Sequence, residues 1–155
     1  MTNELNSFGI PDWQHAGKGV AKLEDFPEDI IGFIYRIDLS NGKSYIGRKS
    51  LFSKRKRNFG KKELALITDK RVKKYEIIKK ESDWNSYIGS NKFLHKDVSE
   101  GIRIESRYIL KLCKTEKELT YYETSMLFGN DVLFGDRYYN DNILGKFFRK
   151  DLLNG

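Results

Sequence analysis

Two short segments joined by a turn signal constrain the fold of this chain most strongly. Residues 31–39 alternate in hydrophobicity, which is the period-two pattern of a strand with two different faces. The residues on one side of this alternation are Phe33, Tyr35, Ile37 and Leu39. Ser40-Asn41-Gly42 is a strong turn signal, and residues 44–48 again have strand character. The sequence therefore predicts a β-hairpin over residues 31–48.

The length of the turn decides where two tyrosines of the hairpin lie. A two-residue Asn41-Gly42 loop would place Tyr35 and Tyr45 on opposite faces of the hairpin. A three-residue loop with a left-handed Gly42 places both on one face and sets Tyr35 opposite Gly47. If the tyrosines act together, the three-residue form is predicted. Either tyrosine alone is also an ordinary strand residue, because aromatic side chains favour strands.

The later part of the chain supplies helices and one more strand. Residues 91–100 predict a short helix that ends at Gly101, and residues 102–113 predict a third strand. Thr115-Glu116-Lys117-Glu118 is a capping-box pattern that begins a helix, and this helix should run to about Phe128. The order of elements predicts an α+β domain built on a small three-stranded antiparallel sheet flanked by helices.

Charge divides the chain into regions. The 155 residues include 29 Lys+Arg and 22 Asp+Glu. Residues 1–29 are acidic and are predicted to be an N-terminal extension of a domain spanning residues 30–150. Residues 48–80 contain 14 basic and three acidic residues, and they are predicted to be a basic insertion of one or two helices broken near residues 58–60. Such a concentration of positive charge favours a polyanionic partner. The alternative is a solvated helix face.

Composition excludes several other classes of protein. A single cysteine excludes a disulfide framework and a multi-thiolate zinc site. No apolar segment approaches the roughly 18 residues that a membrane-spanning helix needs. The N-terminus has no signal-peptide pattern, so a cytoplasmic protein is expected.

One carboxylate stands out in the predicted C-terminal helix. Its apolar stripe contains Leu119, Tyr122, Met126 and Leu127. Glu123 falls inside this stripe, where ionisation is costly unless a cation or hydrogen-bond donors offset the loss of water. A divalent metal at the edge of the sheet would do this, and so would a salt bridge to a lysine.

These residues together resemble a known family. Phe33-Ile34-Tyr35, nine residues, and then Tyr45-Ile46-Gly47 resemble the signature of the GIY-YIG nucleases. The family continues with an arginine in a basic helix, a glutamate on a later helix and a late asparagine. Lys49 resembles a lysine found in some branches, and Trp84 followed by Tyr87-Ile88-Gly89-Ser90 resembles a segment of phage-borne, homing-type members.

The chain departs from the family pattern at a few positions. Phe33 stands where the family has its leading glycine, although Gly32 precedes it. Arg55, eight residues after Gly47, fits the family arginine better than Arg57 does, and Arg48 remains an alternative.

Two asparagines compete for the last position of the pattern. Asn140 fits the family asparagine better than Asn142, because it directly follows the pair Tyr138-Tyr139.

The resemblance implies a DNA endonuclease that hydrolyses phosphodiester bonds with one metal ion, Mg²⁺ or Mn²⁺. Glu123 would bind the metal, and Tyr35 or Tyr45 would be the general base with Lys49 as its cationic neighbour. Arg55 would hold the scissile phosphate, and Asn140 would orient a tyrosine or the phosphate.

The basic residues would contact double-stranded DNA, and neither a membrane nor a small-molecule cofactor is expected. The candidates for DNA binding are Arg48, Lys54, Lys56, Arg57, Lys61 and Lys62. Two alternatives remain open: a non-catalytic nucleic-acid-binding module that keeps the fold, and a domain that acts on RNA.

Overall fold

The tyrosine hairpin lies at one side of a larger sheet. The structure is a computed structural model that describes residues 5–153. Its strands are β1 (Trp13–His15), β2 (Lys18–Val20), β3 (Gly32–Leu39), β4 (Ser44–Ser50), β5 (Phe52–Asn58), β6 (Tyr75–Glu81), β7 (Ile104–Cys113), β8 (Asn142–Ile143) and β9 (Phe147–Phe148). Its helices are α1 (Lys61–Ala65), α2 (Lys92–Ser99), α3 (Glu116–Gly129) and α4 (Arg149–Leu153).

Residues 52–82 form one compact unit, and the rest of the described chain forms another. We call the first the ribbon unit and the second the main unit.

The turn between β3 and β4 has the three-residue form predicted for cooperating tyrosines. The Leu39 N–H donates to the Lys43 carbonyl oxygen at 2.9 Å, so these residues close the hairpin. Gly42 has a φ of 84°, in the left-handed region that glycine adopts most easily. Tyr35 consequently lies opposite Gly47. Both tyrosines are therefore on one face of the sheet.

The sheet of the main unit has five strands, so the prediction of three antiparallel strands was wrong. Its strand order is β2-β1-β7-β3-β4, with β1 parallel to β7 and the other pairs antiparallel. The two additional strands come from the predicted acidic extension, of which residues 1–4 lie outside the described residues. The reason is the fully buried Trp13 in β1, whose indole N–H donates to the Trp84 carbonyl oxygen at 2.8 Å.

Each face of this sheet is covered by a different layer. Helix α3 packs on one face and completes an aliphatic core. The buried residues of this core are Ile34, Ile46, Cys113, Leu119, Leu127, Val132, Leu133 and Ile143. The opposite face carries aromatic rings, and the Trp13 ring contacts Phe33 and Tyr35 edge-on at centroid distances of 4.9 and 5.2 Å.

The helices begin where their capping residues predict. Thr115 accepts a hydrogen bond from the Glu118 N–H, and the Glu118 side chain accepts one from the Thr115 N–H, which completes the capping box of α3. Asn91 caps α2 by accepting from the Phe93 and Leu94 N–H groups.

Among residues 5–153, no helix combines the length and the apolar character needed to cross a membrane.

The ribbon unit is a β-hairpin and not the predicted pair of helices. Strands β5 and β6 pair antiparallel over seven positions, and α1 lies in the connection between them. Residues 52–58 lack the three-to-four spacing of apolar side chains that stabilises a helix against a core. Tyr75, Ile77 and Ile78 favour strands because their side chains are aromatic or β-branched.

Replacing Trp13 with alanine tests whether the N-terminal strands belong to the core of the main unit. Trp13→Ala should lower the free energy of unfolding by about 3–5 kcal/mol, because it leaves a large cavity beside Tyr35. Urea denaturation followed by far-UV circular dichroism measures this difference. The control is Phe8→Ala, whose ring is 57% exposed and whose loss should change the stability by less than about 0.5 kcal/mol. Equal effects of the two substitutions would contradict the role given to Trp13.

Candidate active site

The outer edge of β4 organises the candidate site. Strand β4 is the last strand of the sheet, so alternate backbone groups along it have no partner strand. At Ser44, the N–H donates to the Arg137 carbonyl oxygen at 2.8 Å and the carbonyl oxygen accepts from the Tyr139 N–H at 2.9 Å. The segment after α3 therefore runs along β4 and continues directly into Asn140.

Asn140 satisfies the next pair of groups on the same edge. Its Oδ1 accepts from the Ile46 N–H at 3.1 Å, and its Nδ2 donates to the Ile46 carbonyl oxygen at 2.7 Å. Asn140 is 5% exposed, so both amide groups are held in the interior. Asn142, the competing candidate, bonds to Asp141 and to the Gly145 N–H within a turn. The amide of Asn140 thus fixes the backbone between Tyr45 and Gly47.

The two tyrosines meet over a glycine. The ring centroids of Tyr35 and Tyr45 are 6.2 Å apart. A Cβ atom at Gly47 would lie 2.5 Å from the Tyr35 hydroxyl oxygen and 3.1 Å from the Tyr45 ring. Only a residue without a side chain leaves space for both rings, which explains the glycine opposite Tyr35.

A segment that sequence reasoning left without a role covers this tyrosine pair. Tyr87 lies edge-on to Tyr35 at a centroid distance of 6.0 Å and contributes to raising the pKa of the Tyr35 hydroxyl group. Gly89 has a φ of 91°, and a Cβ atom there would lie 3.0 Å from the Tyr45 ring. Ser90 hydrogen-bonds to the Tyr45 hydroxyl. The repeated Tyr-Ile-Gly sequence at residues 87–89 was the one signal that could have indicated this contact.

Buried polar groups hold the covering segment in place. Arg107 is fully buried on β7, and its Nη1 donates to the Tyr87 carbonyl oxygen at 3.0 Å. Its guanidinium also stacks 4.4 Å from the Trp13 ring. Burial lowers the pKa of Arg107 to about 10. Near neutral pH the buried Arg107 guanidinium is therefore positively charged and lies next to the covering segment. No sequence pattern indicated this charge.

Both site tyrosines hold their protons firmly in this structure. Burial raises the pKa of Tyr35 well above its ordinary value, and the neighbouring Tyr45 and Tyr87 raise it further. Burial also raises the pKa of Tyr45, although the hydrogen bond from Ser90 opposes this. The groups that shift these two pKa values do not include Lys49, the cationic neighbour proposed from the family resemblance.

The contacts of Lys49 explain this result. Its Nζ lies 2.5 Å from Asp83 Oδ1 and 4.0 Å above the Tyr87 ring. The lysine charge is therefore directed at Asp83 and Tyr87.

Glu123 reaches the same edge from α3. Burial raises the pKa of its carboxyl group, while the Arg48 guanidinium and the Arg48 backbone N–H lower it. The Arg48 guanidinium is itself bound to Thr120 Oγ1 at 2.7 Å. Within the described residues Glu123 forms no salt bridge within 4.0 Å, so the predicted alternative of a lysine partner is absent there.

The surroundings of Glu123 fit a divalent ion. A half-buried carboxylate without an ion-pair partner has much to gain from a cation, and its charge also acts on both Tyr35 and Tyr45. Mg²⁺ binds through one or two carboxylates and keeps several waters. The described part of the chain contains no group of three His, Cys, Asp or Glu side chains able to hold a metal. A metal here would therefore use Glu123 as its protein carboxylate and oxygen ligands from elsewhere.

The remaining predicted site residues lie in the ribbon unit. Arg55, Lys54, Lys56 and Arg57 are on β5, and Lys61 and Lys62 are on α1. Arg57 is engaged by two carboxylates: its guanidinium binds both oxygens of Glu63 at 2.9 and 3.0 Å, and its Nε lies 2.5 Å from Glu76 Oε1. Arg55 has no carboxylate within salt-bridge distance among residues 5–153.

The fold and the site together define a class of protein. A hairpin with paired tyrosines, an asparagine bound to the sheet edge and a half-buried glutamate on the last long helix occur in the order expected for a GIY-YIG nuclease.

Comparison with known families leads to the same class. Residues 13–143 match a family model described as "Putative endonuclease segE, GIY-YIG domain". Comparison with curated proteins and with solved structures gives no match. Since the family match covers most of the chain, the protein belongs to the GIY-YIG endonuclease family. Its fold is that of a nuclease domain, and a nucleic acid is the substrate that such a domain implies.

The raised pKa of Glu123 predicts how its replacement changes stability with pH. Because the folded-state value lies above the ordinary 4.5, this carboxyl favours folding below about pH 4.5, and that contribution is lost as the pH rises through the folded-state pKa. Near pH 8 the ionised group therefore costs stability in metal-free protein. Glu123→Gln should raise the melting temperature in EDTA at pH 8, and the difference from wild type should shrink as the pH falls towards 4.

The control for this experiment is Glu28→Gln, which removes an exposed carboxylate of the same unit. It should leave the melting temperature nearly unchanged across the same pH range. A lower melting temperature of Glu123→Gln at pH 8 would contradict the argument, because it would mean that the charged carboxylate is well compensated.

Proposed function

We propose that this protein is a divalent-metal-dependent endonuclease that hydrolyses phosphodiester bonds of DNA. The observation that carries the proposal is the half-buried carboxylate of Glu123, which has no salt-bridge partner among residues 5–153 and acts electrostatically on Tyr35 and Tyr45. A purely structural helix would gain stability from an apolar residue at this position. Membership of the GIY-YIG family supports nuclease chemistry at this site.

Glu123 would hold the ion, with Mg²⁺ or Mn²⁺ as the metals that suit oxygen ligands. A divalent ion bound there supplies positive charge that stabilises the charge developing on the phosphate. The Glu123 carboxylate interacts electrostatically with Arg48 of β4 and with both tyrosines.

The tyrosine pair supplies the general base. A phenol with a raised pKa keeps its proton, and positive charge close to its oxygen favours the phenolate. Tyr87 lies edge-on to Tyr35, and Lys49 lies over the Tyr87 ring. Once a tyrosine has released its proton to solvent, its phenolate oxygen would take one proton from the attacking water while the water oxygen bonds to phosphorus and the leaving oxygen departs.

Asn140 acts as a positioning residue in this proposal. Both of its amide groups bind the Ile46 backbone, so they are not available to a phosphate. By fixing Ile46, Asn140 holds Tyr45 on one side and Gly47 on the other in the geometry that the pair needs.

We propose Arg48 as the arginine that contacts the scissile phosphate. Its side chain is exposed, and it shares the β4 edge with Glu123. The guanidinium can bind phosphate oxygens through two parallel hydrogen bonds. Arg55 is the alternative that the family spacing favours.

Cleavage of supercoiled plasmid tests the proposed function directly. Wild-type protein with Mg²⁺ should nick or linearise the plasmid, and EDTA should abolish the reaction. Glu123→Gln should lower the cleavage rate by on the order of 10²-fold or more, which is the effect of removing a group that stabilises transition-state charge. The matched control is Glu116→Gln, an exposed glutamate in the first turn of the same helix, which should cleave like wild type. Absence of cleavage by wild type on several plasmids, or full activity of Glu123→Gln, would refute the proposal.

Alanine variants of three arginines test which one contacts the phosphate. Arg48→Ala should lower the single-turnover cleavage rate by on the order of 10²-fold. Arg57→Ala should reduce the rate much less, because Glu63 and Glu76 already occupy its guanidinium. If Arg55→Ala has the largest effect and Arg48→Ala has little, the phosphate contact belongs to Arg55 and the assignment of Arg48 is wrong.

A further inference from the structure

The ribbon unit concentrates the positive charge of the whole chain. Residues 52–82 contain 12 basic and four acidic residues, a net charge of +8, while the entire chain carries +7. The unit is a two-stranded antiparallel ribbon with seven paired positions. At about 3.3 Å per residue, each strand is roughly 23 Å long. The rest of the protein is therefore close to neutral, and attraction to a polyanion is a property of this unit.

The two faces of the ribbon differ in how their charges are compensated. Side chains alternate between faces along each strand, so Lys54 and Lys56 of β5 share one face with Lys79 of β6. We call this the lysine face. None of its three lysines has a carboxylate within salt-bridge distance in the described part of the chain. On the opposite face, Arg57 is bound by both Glu63 and Glu76.

The lysine face carries three positive charges and one negative charge, because Glu81 lies across from Phe52 at one end of it. Lys54 and Lys79 are directly paired across the two strands, and like charges in such positions repel. Aromatic rings under the lysines support them: Lys56 Nζ lies 4.1 Å from the Tyr75 ring centroid, and Lys79 Nζ lies 3.8 Å from that of Phe52. Such contacts stabilise each ammonium by about 0.5–1 kcal/mol at an exposed site. The lysine face is thus built to present positive charge to a partner.

The centre of the lysine face also presents an apolar side chain. Ile77 lies across from Lys56 and is 56% exposed. Phe52 and Tyr75 share this face but are half-buried beneath lysines, so the face lacks the wide apolar area that binding to a membrane surface requires. A single aliphatic side chain between lysines suits the thymine methyl groups at the floor of the DNA major groove.

We propose that the lysine face of the ribbon binds in the major groove of duplex DNA, with its lysines on the phosphates and Ile77 towards the bases. The inference rests on the proposed function for its substrate, DNA. The major groove of B-form DNA is about 12 Å wide and admits a two-stranded ribbon. The corresponding groove of double-stranded RNA is deep and too narrow for side chains to read.

Salt dependence of binding tests the lysine face without requiring cleavage. All proteins carry Glu123→Gln and are measured in EDTA, by fluorescence anisotropy with a labelled 30-base-pair duplex. Each phosphate contact contributes about 0.9 to the slope of log K against log salt, so Lys54→Gln, Lys56→Gln and Lys79→Gln together should reduce the slope by about 2.7. Lys54→Gln alone should reduce it by about 0.9, and far-UV circular dichroism checks that the variants are folded.

The matched control removes the same total charge from the main unit. Lys92→Gln, Lys96→Gln and Lys117→Gln together replace three exposed lysines of α2 and α3. This variant should keep the slope of the reference protein. An equal loss of slope in the control and in the lysine-face variant would overturn the proposal, because the effect would then report net charge alone.

Groove-specific competitors test the second part of the proposal. The protein should displace methyl green, which occupies the major groove, and should bind in the presence of distamycin, which occupies the minor groove. The lysine-face variant should lose the displacement of methyl green. Displacement by distamycin, or equally tight binding of an RNA duplex or of single-stranded DNA of the same sequence, would overturn the assignment.

The two proposals can fail separately. DNA binding through the lysine face together with no Mg²⁺-dependent cleavage would refute the endonuclease alone. Cleavage by a protein whose lysine-face variant binds DNA normally would refute the ribbon inference alone.

Discussion

The candidate site depends on how the free edge of β4 is satisfied. A strand at the edge of a sheet exposes alternate N–H and C=O groups, and each buried group needs a partner. Here the segment before Asn140 pairs with Ser44, and the Asn140 amide pairs with Ile46. Next along the strand, the Arg48 guanidinium binds Thr120 of α3, the helix that carries Glu123. These hydrogen bonds hold the proposed positioning residue and the helix of the proposed metal ligand at the same edge as Tyr45.

The opposite side of the hairpin depends on close packing instead of hydrogen bonds. Tyr35 is 1% exposed, lies between Trp13 and Tyr87, and has only glycine backbone opposite it at Gly47. Its hydroxyl group is therefore held by neighbours that have little room to move. Buried Arg107 adds a positive charge behind this layer, and it reaches Tyr87 through the peptide carbonyl. The candidate site thus combines a closely packed aromatic side with a polar edge, where we propose that a cation and a phosphate bind.

Local patterns in the sequence predicted the central part of the fold. The period-two alternation and the glycine turn predicted the hairpin, and the capping box predicted the start of α3, because these features act over a few neighbouring residues. The register of the hairpin was predicted only on the condition that the two tyrosines act together. Long-range packing could not be predicted in the same way. The docking of Trp13 on β7, and hence the five-stranded sheet, depends on contacts almost 100 residues apart.

The ribbon was mistaken for helices because its strands are stabilised by cross-strand pairs and not by an apolar face. Among the candidate site residues, the hairpin and Glu123 were accessible from spacing and polarity. The contact of Tyr87 was indicated only by its repeated Tyr-Ile-Gly sequence, and Arg107 carries no local signal of its burial.

The separation of charge between the two units has an evolutionary consequence. The ribbon unit is one continuous segment of 31 residues, from Phe52 to Ser82. It contains none of Tyr35, Tyr45 and Glu123. The residues of the aliphatic core and of β4 all belong to the main unit. With DNA held by the ribbon and cut at the β4 edge, as we propose, mutations that change the two activities fall in different parts of the gene. A lineage could acquire new targets by replacing or reshaping a short insertion while the cutting machinery stays the same.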